Sequence, residues 1–121
     1  MNTVRFELPW PPSLNHYYRH VGPRVLISRQ GRLYRERVTA LIQSHNIKTF
    51  DCKVALDIQL YPPDSRRRDI DNVLKVTLDV LTVGGLYPDD SYVKQLKIEM
   101  REPYENGFAV VTAMPYAKEN R

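Results

Sequence analysis

The sequence predicts a single two-layer α/β (α+β) domain, a mixed β-sheet covered on one face by two helices, with the element order β-β-α-β-α-β-β. Three observations carry this. Stretches near residues 3–8, 53–61 and 92–100 place apolar residues at every second position, the period of a strand with one buried face, and 108–114 reads as a further strand. Two stretches between them, 29–45 and from about 71, carry apolar residues at helical spacing. The chain of 121 residues, 42% hydrophobic and 26% charged, is sized for one core. Residues 1–116 are therefore read as one domain and 117–121 as a polar tail.

The first strand, Thr3 to Leu8, turns Val4, Phe6 and Leu8 to one side and Arg5 and Glu7 to the other. Pro9-Trp10-Pro11-Pro12-Ser13 stops it, because proline lacks the N–H a ladder needs. Asn15 to Arg24 reads as an irregular aromatic and basic loop, with a short strand at Val25-Leu26-Ile27. Ser28 is the expected N-cap of a helix over 29–45 whose apolar side holds Tyr34, Val38, Leu41, Ile42 and His45. Lys53 to Tyr61 alternates again, burying Val54, Leu56, Ile58 and Leu60 until Pro62-Pro63. A second helix starts near Asp71 with Val73, Leu74, Thr77, Leu78 and Leu81 inward, and Gly84-Gly85 ends it. The last two strands put Leu96, Ile98 and Met100 on one face, then run from Phe108 to Met114.

Composition excludes several classes. A lone cysteine, Cys52, forms no internal disulfide and has no Cys or His at zinc-finger spacing. No apolar run approaches the roughly 20 residues of a membrane span, and MNTVRFELPW does not read as a signal peptide. A cytoplasmic protein with no membrane partner is expected. The net charge of +4 is unevenly spread: residues 1–68 hold 12 Lys+Arg against 5 Asp+Glu, and residues 69–121 hold 6 against 9. A basic surface beside an acidic centre points to a polyanionic partner, nucleic acid first.

Chemistry concentrates in Pro62-Pro63-Asp64-Ser65-Arg66-Arg67-Arg68-Asp69-Ile70-Asp71-Asn72-Val73-Leu74-Lys75. Asp69 and Asp71, one residue apart in an extended entry to a helix, point to one side while Ile70 turns to the core. A cap accounts for one acid. The other is left over, and paired hard oxygen ligands suit Mg²⁺, which completes its shell with water and phosphate. Lys75 stands four residues after Asp71 and four before Asp79, so an i,i+4 ladder and a role beside a scissile phosphate both fit. Asp89-Asp90-Ser91 reads either as turn chemistry or as a third carboxylate that a sharp chain reversal returns to the first two. No Ser-His-acid spacing and no Gly-rich phosphate loop offers another mechanism.

These motifs together resemble the RusA family of Holliday junction resolvases of bacteria and prophages. The likeness runs from Leu8-Pro9-Trp10-Pro11-Pro12-Ser13 through Asn15 and Tyr17-Tyr18-Arg19-His20 to Arg66-Arg67-Arg68-Asp69-Ile70-Asp71-Asn72 with Lys75, then Gly85-Leu86 and Asp89-Asp90. The resemblance implies a Mg²⁺-dependent endonuclease, with Mn²⁺ a possible substitute, that nicks opposing strands of four-way junction DNA as a homodimer. By it, the metal-binding and catalytic acids are Asp69, Asp71 and Asp90, and Lys75 assists phosphate chemistry. The expected DNA contacts are Tyr17, Tyr18, Arg19 and His20 in the loop and Arg66, Arg67 and Arg68 in the basic run. Two positions depart from the family pattern: Leu14 replaces a common Asn and His16 a basic residue. A non-catalytic junction-binding protein and a metal nuclease for other branched DNA are the alternatives.

Overall fold

The computed structural model describes residues 3–117, so the tail reading falls outside the described residues except at Ala117. Its main sheet contains β1 (Val4–Pro9), β4 (Val54–Tyr61), β5 (Val93–Met100) and β6 (Phe108–Pro115), in the order β1-β6-β4-β5. β6 is antiparallel to both β1 and β4, whereas β4 and β5 are parallel. Parallel neighbours need a crossover, and α3 (Ile70–Val83) supplies it, running back over the sheet from the end of β4 to the start of β5.

The segment before α2 (Arg29–Ser44) holds more structure than the sequence suggested. A helical turn, α1 (Leu14–Tyr17), leads into a two-stranded ribbon of β2 (Tyr18–Val21) and β3 (Arg24–Ile27) that stands apart from the main sheet. The expected strand at 25–27 thus exists but pairs with residues read as loop. Alternation over four residues is too short a signal to reveal that partner.

The core is built in register. Leu56, Ile58 and Leu60 oppose Ala113, Val111 and Ala109, and Phe6 and Leu8 extend the layer. Tyr34, Val38 and Ile42 of α2 and Val76, Val80 and Leu81 of α3 close it from above. Ser28 caps α2 by accepting a 2.9 Å hydrogen bond from the Gly31 N–H, as expected. The predicted stripes are altered at three places. His45 is exposed at the C-cap of α2, its Nδ1 donating to the Leu41 carbonyl at 2.8 Å. Ile70 is 37% exposed instead of core-facing, at the first residue of α3. Val76 and Val80 are fully buried while Val73, Leu74 and Leu78 are only half-buried. Packing against both the sheet and α2 widens and rotates the apolar face of α3.

The opposite face of the sheet carries the alternate residues Phe108, Val110, Thr112 and Met114 of β6 beside Ala55, Asp57, Gln59 and Tyr61 of β4. None belongs to the core cluster. No helix among the described residues is long and apolar enough to cross a membrane.

Candidate active site

Pro9, Phe108 and Tyr61 lie abreast, so β1 and β4 run out at the same end of the sheet where α3 begins. Their proline-rich exits diverge there and leave a cleft of about 630 Å³, bounded on one side by Trp10 to His16 and on the other by Pro63 to Val73. Carboxyl ends of strands are where open α/β sheets place ligands. The Tyr34 hydroxyl donates to the Pro9 carbonyl at 2.6 Å and pins one wall to α2.

The three arginines of the second wall do not turn to Asp69 or Asp71. Asp64 gathers two of them: its carboxylate accepts from the Arg66 backbone N–H at 2.9 Å and Nε at 3.2 Å, and pairs with Arg68 at 2.9 Å. The hydrogen bonds from Arg66 hold its carboxyl down at about pKa 2. Arg68 also donates to the Asp64 and Arg66 carbonyls and lies over the Trp10 ring, 5.6 Å from its centroid, with only 18% of its side chain exposed. Arg68 thus joins the two walls. Arg67 is exposed and forms no ion pair among the described residues. Asp64, Trp10 and the cleft-lining His16 were not singled out as site residues from sequence. Asp64 had a signal, a carboxylate two and four residues before arginines.

Asp69 occupies the N-cap position of α3, yet its side chain makes no capping bond; its backbone carbonyl alone accepts from Asn72 and Val73. Asp71 follows in the first turn and accepts only from the Asn72 N–H, at 3.0 Å. The helix-cap reading of this pair is therefore corrected for Asp69. Both residues are exposed, with no cation paired to them among the described residues. Their oxygens fit a hard divalent ion, since neither a cap nor an arginine consumes them.

Asp90 lies elsewhere. Asp89 accepts from the Ser91 N–H at 2.8 Å and makes the turn, leaving Asp90 to open a short 3₁₀ helix (Asp90–Tyr92) and accept from the Thr82 hydroxyl at 2.6 Å. Thr82 is in the last turn of α3, roughly 16 Å along the axis from Asp71 at 1.5 Å per residue. The expected return of a third carboxylate within one chain is thus corrected. The parallel strand β5 starts at the opposite end of the sheet from the α3 N-terminus. Accordingly, no three metal-ligating side chains cluster among the described residues.

Lys75 is exposed and its ammonium lies 5.8 Å from the Tyr18 ring centroid. The ladder reading is corrected too: Asp79 pairs with Arg35 of α2 at 2.8 Å and accepts from the Tyr17 hydroxyl. Arg35 Nε also donates to that hydroxyl at 2.8 Å. Tyr17 is fully buried, and burial followed by its bond to Asp79 pushes its hydroxyl well above the usual tyrosine range. Tyr17 is consequently an anchor and not a DNA contact, a correction that follows from α1 packing it between α2 and α3. Tyr18 is half-buried, and Arg19 and His20 stand exposed on the ribbon.

A cleft with exposed guanidinium groups on one wall and the Asp69 carboxylate at its rim has the chemistry of a protein that processes nucleic acid. Guanidinium groups are the usual partners of a phosphate backbone, and exposed carboxylates suit a divalent ion. The chain belongs to the RusA family of endodeoxyribonucleases, which hydrolyse phosphodiester bonds in DNA: the family model described as Endodeoxyribonuclease RusA matches residues 9–112. It is 41% identical over 99 residues, 81% of this chain and 82% of the relative, to a crossover junction endodeoxyribonuclease RusA of Shigella sonnei (strain Ss046). A protein of the same description from Enterobacteria phage 82 is 40% identical, and one from Escherichia coli (strain K12) 39% identical, over equal shares.

Proposed function

We propose that this protein resolves Holliday junctions, cutting opposing strands of four-way junction DNA as a Mg²⁺-dependent homodimer in the recombination and repair of cytoplasmic DNA. The observation that carries the reading is the cleft itself, in which a basic wall meets Asp69, with Asp71 two residues on in the first turn of α3. The junction as substrate is drawn from the relatives' descriptions as crossover junction endodeoxyribonucleases.

Asp69, Asp71 and Asp90 would hold the metal, Mg²⁺ or in its place Mn²⁺, which takes the same oxygen donors. When bound, it supplies an activated water and neutralises charge developing on the scissile phosphate. Arg66 and Arg67 engage the backbone, while Arg68 holds the cleft walls together. Lys75, which pairs with no carboxylate among the described residues, reaches the same phosphate from the first turns of α3.

The homodimer answers the separation of the acids. A two-fold axis perpendicular to α3 sets the Asp90 end of one copy beside the Asp69–Asp71 end of its partner, so two chains make two complete sites.

Incubating the purified protein with a mobile four-way junction, with and without Mg²⁺, tests the reading. Paired nicks in opposing strands are expected only with the metal, and metal-independent or absent cleavage rejects it. The wall residues separate in a second measurement. Arg67→Ala is expected to lower the slope of log K against log salt by about 1 with no change in melting temperature. Arg68→Ala should lower the melting temperature as well, since it loses Asp64 and Trp10 together. An unchanged salt slope for Arg67→Ala would remove that residue from the interface.

A further inference from the structure

We propose that the β2–β3 ribbon is a branch-point probe, its apolar tip entering the gap in base stacking at a DNA junction while its arginines grip the flanking phosphates. The inference rests on the junction reading above and names the element that tells branched from linear DNA.

The ribbon is firmly rooted and open at its tip. At the root, the Ser28 N–H donates to the Tyr17 carbonyl at 2.9 Å, and the Ser28 hydroxyl to the same carbonyl at 3.0 Å. The backbone at Tyr17 sits so close to α2 that a Cβ on Gly31 would fall 2.4 Å from the Tyr17 carbonyl oxygen and 2.9 Å from Ile27 Cγ2. Only glycine permits that approach. The Tyr17–Asp79–Arg35 cluster then fixes the root to α2 and α3. Beyond it, every residue from Arg19 to Val25 is exposed, Val21 by 38% and Val25 by 56%. Gly22, at φ +60°, and Pro23 close the ribbon in a two-residue turn of the type II′ pattern.

The placement of side chains gives the ribbon its chemistry. Opposite residues share a face, so His20 pairs with Val25 on one side and Val21 with Arg24 on the other, with Arg19 behind. Each face near the tip therefore combines an aliphatic group with a cationic or imidazole one. No carboxylate occurs between residues 8 and 35, a span that holds Arg19, Arg24, Arg29, Arg32 and Arg35. Such a segment repels its own copy and attracts a polyanion, which favours DNA over a second protomer as occupant. The ribbon also leaves from the rim of the cleft: His16 lines the cleft, and Tyr18 lies against Lys75. Four strand residues carry the tip about 13 Å from there, the axial length of roughly four base pairs. Proteins that wedge DNA insert apolar side chains, aliphatic ones and proline among them, between base steps and use Arg or Lys alongside. A continuous duplex resists that insertion by its stacking, whereas a branch point is already unstacked.

The test measures binding without metal, using the full chain, a four-way junction carrying 2-aminopurine at the branch point, and a linear duplex of the same sequence. The parent is expected to raise the branch-point fluorescence and to prefer the junction. V21S/V25S should lose most of that rise and about tenfold of the junction preference, keeping its duplex affinity and salt slope. V21T/V25T, which retains the β-branched shape and strand propensity, should show the same direction with the parent's melting temperature. A parent that prefers the junction, with Ser and Thr variants that prefer it equally and give equal fluorescence, would overturn the ribbon proposal alone. A parent with no junction preference would remove the junction reading beneath it. A change in sedimentation of the variants, with fluorescence intact, would make the ribbon a contact between copies and likewise overturn the proposal.

Discussion

Asp69→Asn, Asp71→Asn and Asp90→Asn are each expected to slow junction nicking on the order of 1,000-fold while binding the junction as tightly as the parent or more so. The substitution removes one negative charge and keeps a carbonyl oxygen. Affinity for a divalent ion drops, whereas repulsion between the cleft rim and phosphate also drops, which favours binding. The fold should be untouched. Asp69 and Asp71 are exposed and unpaired among the described residues, and the amide oxygen introduced by Asp90→Asn still accepts from Thr82. Band-shift titration and nicking of a labelled junction on the same samples read both quantities. A variant that nicks at the parental rate would take its residue out of the site.

Mixing two dead variants should restore activity, and this is the larger contrast. If each site takes Asp69 and Asp71 from one copy and Asp90 from the other, a heterodimer of Asp69→Asn and Asp90→Asn contains one site with both defects and one with neither. Such a mixture is expected to rise from no detectable nicking to single-strand nicking, without the paired cut. Sites built within single chains would each carry one defect, and the mixture would stay dead. The prediction rests on the roughly 16 Å of α3 that separate the Asp71 end from Thr82 and Asp90. Light scattering at micromolar concentration supplies the companion measurement, with a mass of about twice 14.2 kDa expected.

Strand and helix positions were legible because each element is amphipathic at its own period. Val54, Leu56, Ile58 and Leu60 are all buried on one face of β4, as alternation requires, and Ser28 caps α2 where its side chain was expected. Asp69, Asp71 and Lys75 were legible as a group because an entry to a helix keeps neighbours in sequence close in space. Local order determined that much. The ribbon was not legible, since its two strands are four residues each and are exposed near the tip, so no apolar period marks them. Tyr17 was misread for a related reason: its partners, Asp79 and Arg35, stand 62 and 18 residues away.

The same distinction governs the acids. Sequence by itself determined which carboxylates exist, that two of them flank the start of α3, and that a basic run precedes them. Only the tertiary structure decided what those charges face. The parallel pairing of β4 with β5 sends α3 across the whole sheet and leaves Asp90 at its far end. Asp64, rather than Asp69 or Asp71, takes up the arginines, because the turn after Pro63 brings its carboxylate within 3.2 Å of Arg66 and Arg68. Strand direction and turn geometry depend on pairings between distant segments, which carry no local period, so the assignment of each charge to its partner emerges only once the sheet has formed.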